Sequence, residues 1–299
     1  MSEATFVDRS PERLRIGGRL AAAARYVVRD RELLIATILL GILVLLALFG
    51  PLVWTENPNG IDVGAALQSP SLAHPMGTDG NGRDIFARFN EGARISLAVG
   101  ALVVLASALV GGTIGLVAGL WRGLTDSLLM RALDAILAFP PLILAMAVTV
   151  GLGVGLKTAA FGTMLACVPY FARLLRSDVL RLRALPYVEA AVALGATRKR
   201  IVLRHIFPHT ASTMLIQSAA VFGYAILTLA ALGFVGLGAQ IPTPEWGAMI
   251  TDGLQYALTG QWWVALFPGL GLLAAVVAAN IYADRARDIL DPRGEFARV

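Results

Sequence analysis

The chain has 299 residues, of which 57% are hydrophobic and only 15% charged, and its mean hydropathy is +0.71. Soluble domains carry about a quarter charged residues, so this composition excludes an ordinary soluble domain and makes lipid the default solvent. The net charge of +5 does not indicate nucleic acid, because a membrane protein that gathers Lys and Arg on its cytoplasmic side acquires the same excess.

Residues 1–32 are polar, with seven arginines against five acids. The apolar run that follows is too long for a signal-peptide core and lacks an A-x-A cleavage site. It reads as a retained first span over 33–54. Residues 55–92 form an extramembrane loop punctuated by Asn57-Pro58-Asn59-Gly60, Ser69-Pro70 and Gly77-Thr78-Asp79-Gly80. Within it Asp79, Arg83 and Asp84 are expected to hold an ordered turn, and residues 83–93 a short surface helix. The second span covers about 95–120. Its Gly111, Gly115 and Gly119 share one helix face, where another helix can approach closely. The third span, about 132–150, meets Pro140-Pro141 early and is expected to kink or break there. Asp134 at its start is expected to pair with Arg131 or Arg122. The fourth span covers about 158–176, the fifth about 209–238 and the sixth about 263–283. Trp246, Trp262 and Trp263 in and beside the loop 239–262 read as interfacial anchors.

Six spans put both termini on one side. The two termini, the 121–131 link and the 173–204 segment then carry 21 of the 25 Lys and Arg residues. The opposite face carries only Arg83, Arg88, Arg94 and Lys157. Positive residues mark the cytoplasm, so both ends are expected there.

The segment Leu185 to Pro208 is unusual for a connection between spans. Pro186 suits a first helical turn, and Glu189 near that end complements the helix dipole. Ala190, Ala191, Val192 and Ala193 continue the helix, and Gly195 fits the left-handed position that ends it. Ala196 leads to Thr197, which can cap a second helix that presents Arg198, Lys199, Arg200 and Arg204. Pro208 marks entry into the fifth span. Physically this is either a rigid knob for a protein partner or an amphipathic elbow on anionic lipid, and the local physics leaves the two level.

The order Glu189-Ala190-Ala191, Gly195, His205 and Pro208 resembles the EAA motif of bacterial ABC importer permeases. In that family the motif is a cytoplasmic coupling helix seated in a cleft of the ATPase subunit. His205 replaces a frequent isoleucine, as is common in the peptide branch. The stretches His74–Arg88, Gly92–Leu97, Leu232–Gln240, Pro244–Met249 and Arg287–Arg293 resemble the "C"-type permeases for dipeptides, oligopeptides or nickel. Ala283-Asp284-Arg285-Ala286-Arg287 departs from their usual Gly-Asp-Gly-Leu-Arg.

The resemblance implies an all-α type I importer fold with six transmembrane helices. Its divisions would be an N-terminal segment 1–32, an extra helix 33–54, a loop 55–92, a five-helix domain 93–284 and a tail 285–299. It implies a bacterial inner-membrane location and a sister permease as heterodimer partner. It also implies two ATPase subunits that hold ATP and magnesium, and an extracytoplasmic substrate-binding protein. The chain itself has no G-x-x-x-x-G-K-[ST] phosphate loop. One cysteine, Cys167, and three scattered histidines give no metal or catalytic cluster. An ion-coupled transporter is the rival reading, and it would need charges in mid-membrane and an inverted repeat. A membrane enzyme would need a catalytic cluster. Neither feature is in the sequence.

Overall fold

A computed structural model describes residues 27–28, 30–121 and 123–290. Among these the chain is built of helices. We number them α1 (Arg31–Val53), α2 (Ile85–Leu120), α3 (Leu124–Leu137), α4 (Pro141–Leu152), α5 (Leu156–Arg183), α6 (Pro186–Ala193), α7 (Arg198–Ile201), α8 (Phe207–Phe234), α9 (Trp246–Ala257) and α10 (Trp263–Leu290).

Helix α1 begins where the Asp30 carboxylate accepts hydrogen bonds from the Glu32 and Leu33 N–H groups at 3.0 and 3.1 Å. Its 23 residues extend about 35 Å, enough to cross a hydrocarbon core of about 30 Å. At its base Arg285 of α10 reaches Glu32 at 2.6 Å and Asp30 at 3.3 Å. The departure from the peptide-permease pattern at 285 thus joins the first and last helices.

Helix α2 starts at the Asp84 cap, whose carboxylate accepts from Ala87 N–H at 2.7 Å, and runs unbroken for 36 residues. The expected short surface helix at 83–93 is therefore the beginning of the second span. The charged residues around its start are buried: Asp79 Oδ2 lies 2.7 Å from Arg83 Nε and 3.6 Å from Arg88 Nε. Asp79 also accepts from the Asn81 and Arg83 N–H groups, so the turn expected there is present. Asp84 receives Trp54 Nε1–H at 3.2 Å and lies 2.8 Å from His74 Nδ1. The loop thus closes over the start of α2 as an ordered cap.

The third span is not one helix. α3 and α4 meet at 88° across Ala138–Pro140, because Pro140 and Pro141 lack the N–H groups that would continue the ladder. Asp134 does not pair with Arg131: its partner is Arg173 on α5, and Asp126 takes Arg176 in a two-bonded pair at 2.6 and 2.7 Å. Both arginines sit on α5, the helix that α3 crosses; Arg122, the other expected partner, lies outside the described residues.

The tightest helix pair is α2 with α5. A Cβ added at Gly111 or Gly115 would run into the carbonyl oxygens of Val168 and Ala172, and one at Gly119 would lie 2.7 Å from Val179. Ser107 adds an interhelical bond to Met164 O at 3.1 Å. Helix α5 continues to Arg183, beyond the expected end of the fourth span near residue 176.

The loop 239–262 contains α9, and Trp246 within it is fully buried. Its indole donates to Phe89 O at 3.3 Å, and its backbone N–H donates to Ser96 Oγ at 3.3 Å. Trp263 is also buried and donates to Thr78 O at 3.2 Å. These two tryptophans are core residues rather than interfacial anchors, because buried polar partners on α2 and the cap satisfy their N–H groups. Trp262 alone of the three is exposed.

Candidate docking element

The chain leaves α5 at Arg183 and turns sharply into α6. Pro186 occupies its first position, where a missing N–H costs nothing. Leu185 O accepts from Val188 and Glu189 N–H at 2.9 and 3.2 Å. Glu189 is exposed in the first turn, where the N-terminal dipole favours a carboxylate.

Helix α6 ends in a Schellman motif. Gly195 has φ +82°. Its N–H donates to Val192 O at 2.9 Å, and Ala196 N–H donates to Ala191 O at 3.0 Å. A Cβ at 195 would meet nothing within 4 Å, so glycine is required by the sign of φ and not by space. Thr197 then starts α7: its carbonyl accepts from Ile201 N–H at 3.0 Å and its hydroxyl from Arg200 N–H at 3.4 Å. Arg200 is exposed; the Arg198 side chain lies outside the described residues.

The expected second short helix does not stop before the fifth span. It widens into a π-turn over Val202–Ile206, where Phe207 N–H donates to Val202 O, and passes straight into α8. Pro208 supplies the reason. A proline after a regular turn would clash with the carbonyl four residues back, and the wider π-turn relieves that clash. Pro208 therefore lies inside one continuous helix.

Three contacts seat the knob. Val188 is 2% exposed and packs with Val179, Leu182, Ile201 and Ile206. Arg183 Nη1 donates to Gly119 O at 2.9 Å and Leu120 O at 2.8 Å. Those carbonyls end α2 and have no helical donor of their own. His205 is half-buried, with its ring centroid 5.9 Å from that of Tyr187 on α6. The outer face stays open: Glu189, Ala190, Val192, Ala193 and Leu194 are exposed, Leu194 at 89%. A cavity of about 440 Å³, lined in part by Arg183, Glu189 and Val192, opens beside it.

The structure thus brings Glu189, Ala190, Ala191, Gly195, Ala196, Thr197, Arg200 and His205 into one element with a fixed base and a free face. It does not bring in Gly111, Gly115, Pro140 or Pro141, which act elsewhere in the bundle. Gly119 enters only through its carbonyl. Arg183 and Tyr187, which hold the base, had no distinguishing signal in the sequence: one is an arginine among many, the other an aromatic beside a helix start. Among the described residues no cluster of His, Cys, Asp and Glu could hold a metal.

A bundle of long apolar helices with a helical knob exposed at its arginine-rich end has the form of a membrane transport subunit. The chain belongs to the family described as binding-protein-dependent transport system inner membrane component, which matches residues 111–295. It is a multi-pass permease subunit of an ABC importer, in which ATP hydrolysis belongs to a separate subunit.

It is 36% identical to the probable D,D-dipeptide transport system permease protein DdpC of Escherichia coli (strain K12), covering 98% of this chain and 97% of that one. It is 40% identical to the dipeptide transport system permease protein DppC of Alkalihalophilus pseudofirmus, covering 91% and 89% respectively. A solved inward-facing structure of the MetNI methionine ABC transporter superposes with a TM-score of 0.54 at 20% identity, over 66% of this chain and 94% of that one. At that identity the likeness is one of fold.

Proposed function

We propose that this permease pairs with a sister permease in a bacterial inner membrane to form the pathway for di- or oligopeptides, and that α6 with α7 is the coupling element for a cytoplasmic ATPase. The observation that carries this reading is the knob's construction. Val188, Arg183 and the Gly195 motif fix its base, while its outer face is open to a partner. A rigid exposed element transmits force, whereas a lipid elbow needs a broad apolar face. The exposed face here is mixed: Glu189, Ala190 and Ala193 are small or charged, while Val192 and Leu194 offer apolar side chains that a protein cleft could take.

On this reading both termini and the knob face the cytoplasm, two ATPase subunits carry ATP and magnesium, and an extracytoplasmic binding protein delivers substrate to the cap side. The peptide class rests on the names of the relatives. Closure of the ATPases would move α6, and the continuous α7–α8 helix would carry that movement into the bilayer as a shift between two states.

Glu189→Lys and Gly195→Asp test the assignment. Both should abolish peptide uptake and weaken recovery of the ATPases with the purified permease, while membrane insertion stays normal. Glu189→Ala should be milder, because alanine favours helix. Normal uptake and normal ATPase recovery in the first two variants would sink it.

A further inference from the structure

Helix α4 is twelve residues long, about 18 Å, which falls short of a hydrocarbon core of about 30 Å. It is separated from α3 by the break at Ala138–Pro140. Lipid cannot satisfy broken backbone, which is tolerated only against protein or a water-filled space. Yet α4 packs mainly on α5, burying Ala145 and Thr149 and leaving Leu142, Ile143, Val150 and Leu152 exposed. Its open face is apolar, and the break at its base calls for protein or water beside it.

At the far end of α4 lies a cavity of about 640 Å³ between the turn Leu152–Thr158 and the loop residues Ala239–Ile241 and Thr243. That volume is within the range of about 300–1,000 Å³ for small-molecule sites. The loop wall is stiffened by Gln240, whose amide donates to Gly236 O at 3.2 Å and Gly238 O at 3.1 Å.

Lys157 lines this cavity. Four cations lie on the cap side of the chain, and three are engaged. Arg83 is 2.7 Å and Arg88 3.6 Å from Asp79, and Arg94 is 4.0 Å from Glu91. Lys157 is exposed and has no acidic partner among the described residues. A lone, exposed ammonium on the wall of an open cavity at the end of a broken helix is placed to meet an anionic group of a solute.

We propose that this cavity is an entry vestibule in which the Lys157 ammonium receives the carboxylate of a peptide substrate. The proposal rests on the peptide-importer reading and its orientation. The attraction is a charge-assisted hydrogen bond between an ammonium and a carboxylate.

The test is ATP-dependent uptake of alanyl-alanine into proteoliposomes that hold the complete transport complex and its binding protein. Lys157→Cys should raise KM about tenfold with the maximal rate within about twofold, the signature of lost ground-state binding. Methanethiosulfonate ethyltrimethylammonium, which returns a positive charge to that thiol, should restore KM. The sulfonatoethyl reagent, which adds a negative charge, should raise it further. The parental complex treated in parallel controls for other thiols; Cys167 itself is fully buried.

A residue that only anchors the helix end would change assembly or maximal rate rather than KM. An unchanged KM in Lys157→Cys, or equal effects of the two reagents, overturns the vestibule while leaving the importer reading intact. A parental complex that hydrolyses ATP but imports no dipeptide would overturn the peptide reading itself, and the vestibule with it.

Discussion

Arg183, the last residue of α5, donates a 2.8 Å hydrogen bond to the carbonyl oxygen of Leu120, so the end of α2 is tied to the point from which the chain turns into α6. Its second bond, to Gly119 O at 2.9 Å, makes the contact a clasp on a helix C-terminus, where a cation is favoured. Arg183→Ala should remove that clasp. A carbonyl left without its donor costs about 1–3 kcal/mol when buried, and partial exposure here puts the loss toward the low end. Hydrogen exchange over residues 184–206 should quicken about tenfold per 1.4 kcal/mol lost, and uptake should fall while insertion is unchanged. Unaltered exchange would show that the clasp does not stabilise the knob.

The Gly195 substitutions should rank by backbone and not by size. No atom stands within 4 Å of a Cβ there, but a left-handed conformation costs an ordinary residue about 1–2 kcal/mol. Asparagine visits that region more readily. Uptake should therefore fall in the order Gly, Asn, Ala, Val. A ranking by side-chain volume instead, with Ala above Asn, would contradict the positive φ as the constraint.

Gly115 is limited by space. A methyl there would meet the Ala172 carbonyl and force α2 from α5. Gly115→Ala should lower the yield of folded protein, and Gly115→Leu should abolish it. Gly41, in the middle of α1, has nothing within 4 Å of its would-be Cβ. Gly41→Ala should be tolerated, or stabilising by up to about 1 kcal/mol from helix propensity. Thermal unfolding of the detergent-solubilised protein measures both.

Glu245, in the loop before α9, caps that helix by accepting from Gly247 and Ala248 N–H at 2.9 and 3.0 Å. Burial nonetheless pushes its pKa above the usual glutamate value, with these bonds and the one from Ser96 opposing the shift. Burial likewise raises Asp252, with Arg83 and Arg88 opposing. A carboxyl whose pKa is higher folded than unfolded contributes stability below its unfolded pKa and loses it as pH rises through the folded value. Thermal stability should therefore decline as pH rises out of the ordinary carboxylate range. Glu245→Gln should flatten that decline at the expense of one cap bond. An identical slope in the variant would remove Glu245 from the explanation.

Reporter fusions at Pro70 and Ala190 should report opposite sides of the membrane. Finding both on one side would overturn the orientation read from the arginine distribution.

The sequence was most informative where the physics is local. Gly195 after an alanine-rich turn predicts the left-handed end of α6, and Pro140-Pro141 predicts the break before α4. Both depend on backbone chemistry within a few residues. It was least informative where a polar residue finds its partner far along the chain. Arg88 looks like a surface residue until Asp79 and the Pro58 carbonyl are folded over it. Trp246 looks like an anchor until Phe89 O and Ser96, roughly 150 residues earlier, take up its N–H groups. Pro208 misled for a different reason: a π-turn lets a helix pass through a proline that would ordinarily start one.

That passage makes Lys199 to Phe234 a single 36-residue shaft, about 54 Å from end to end at 1.5 Å per residue. Pivoted near either end, a tilt of only about 5° would carry its opposite tip about 5 Å, close to one helical pitch. The proline lies within the shaft and does not end it. A push of a few ångströms at the arginine-rich end would be felt across the whole thickness of the bilayer, as with a rocker arm rather than a chain of links.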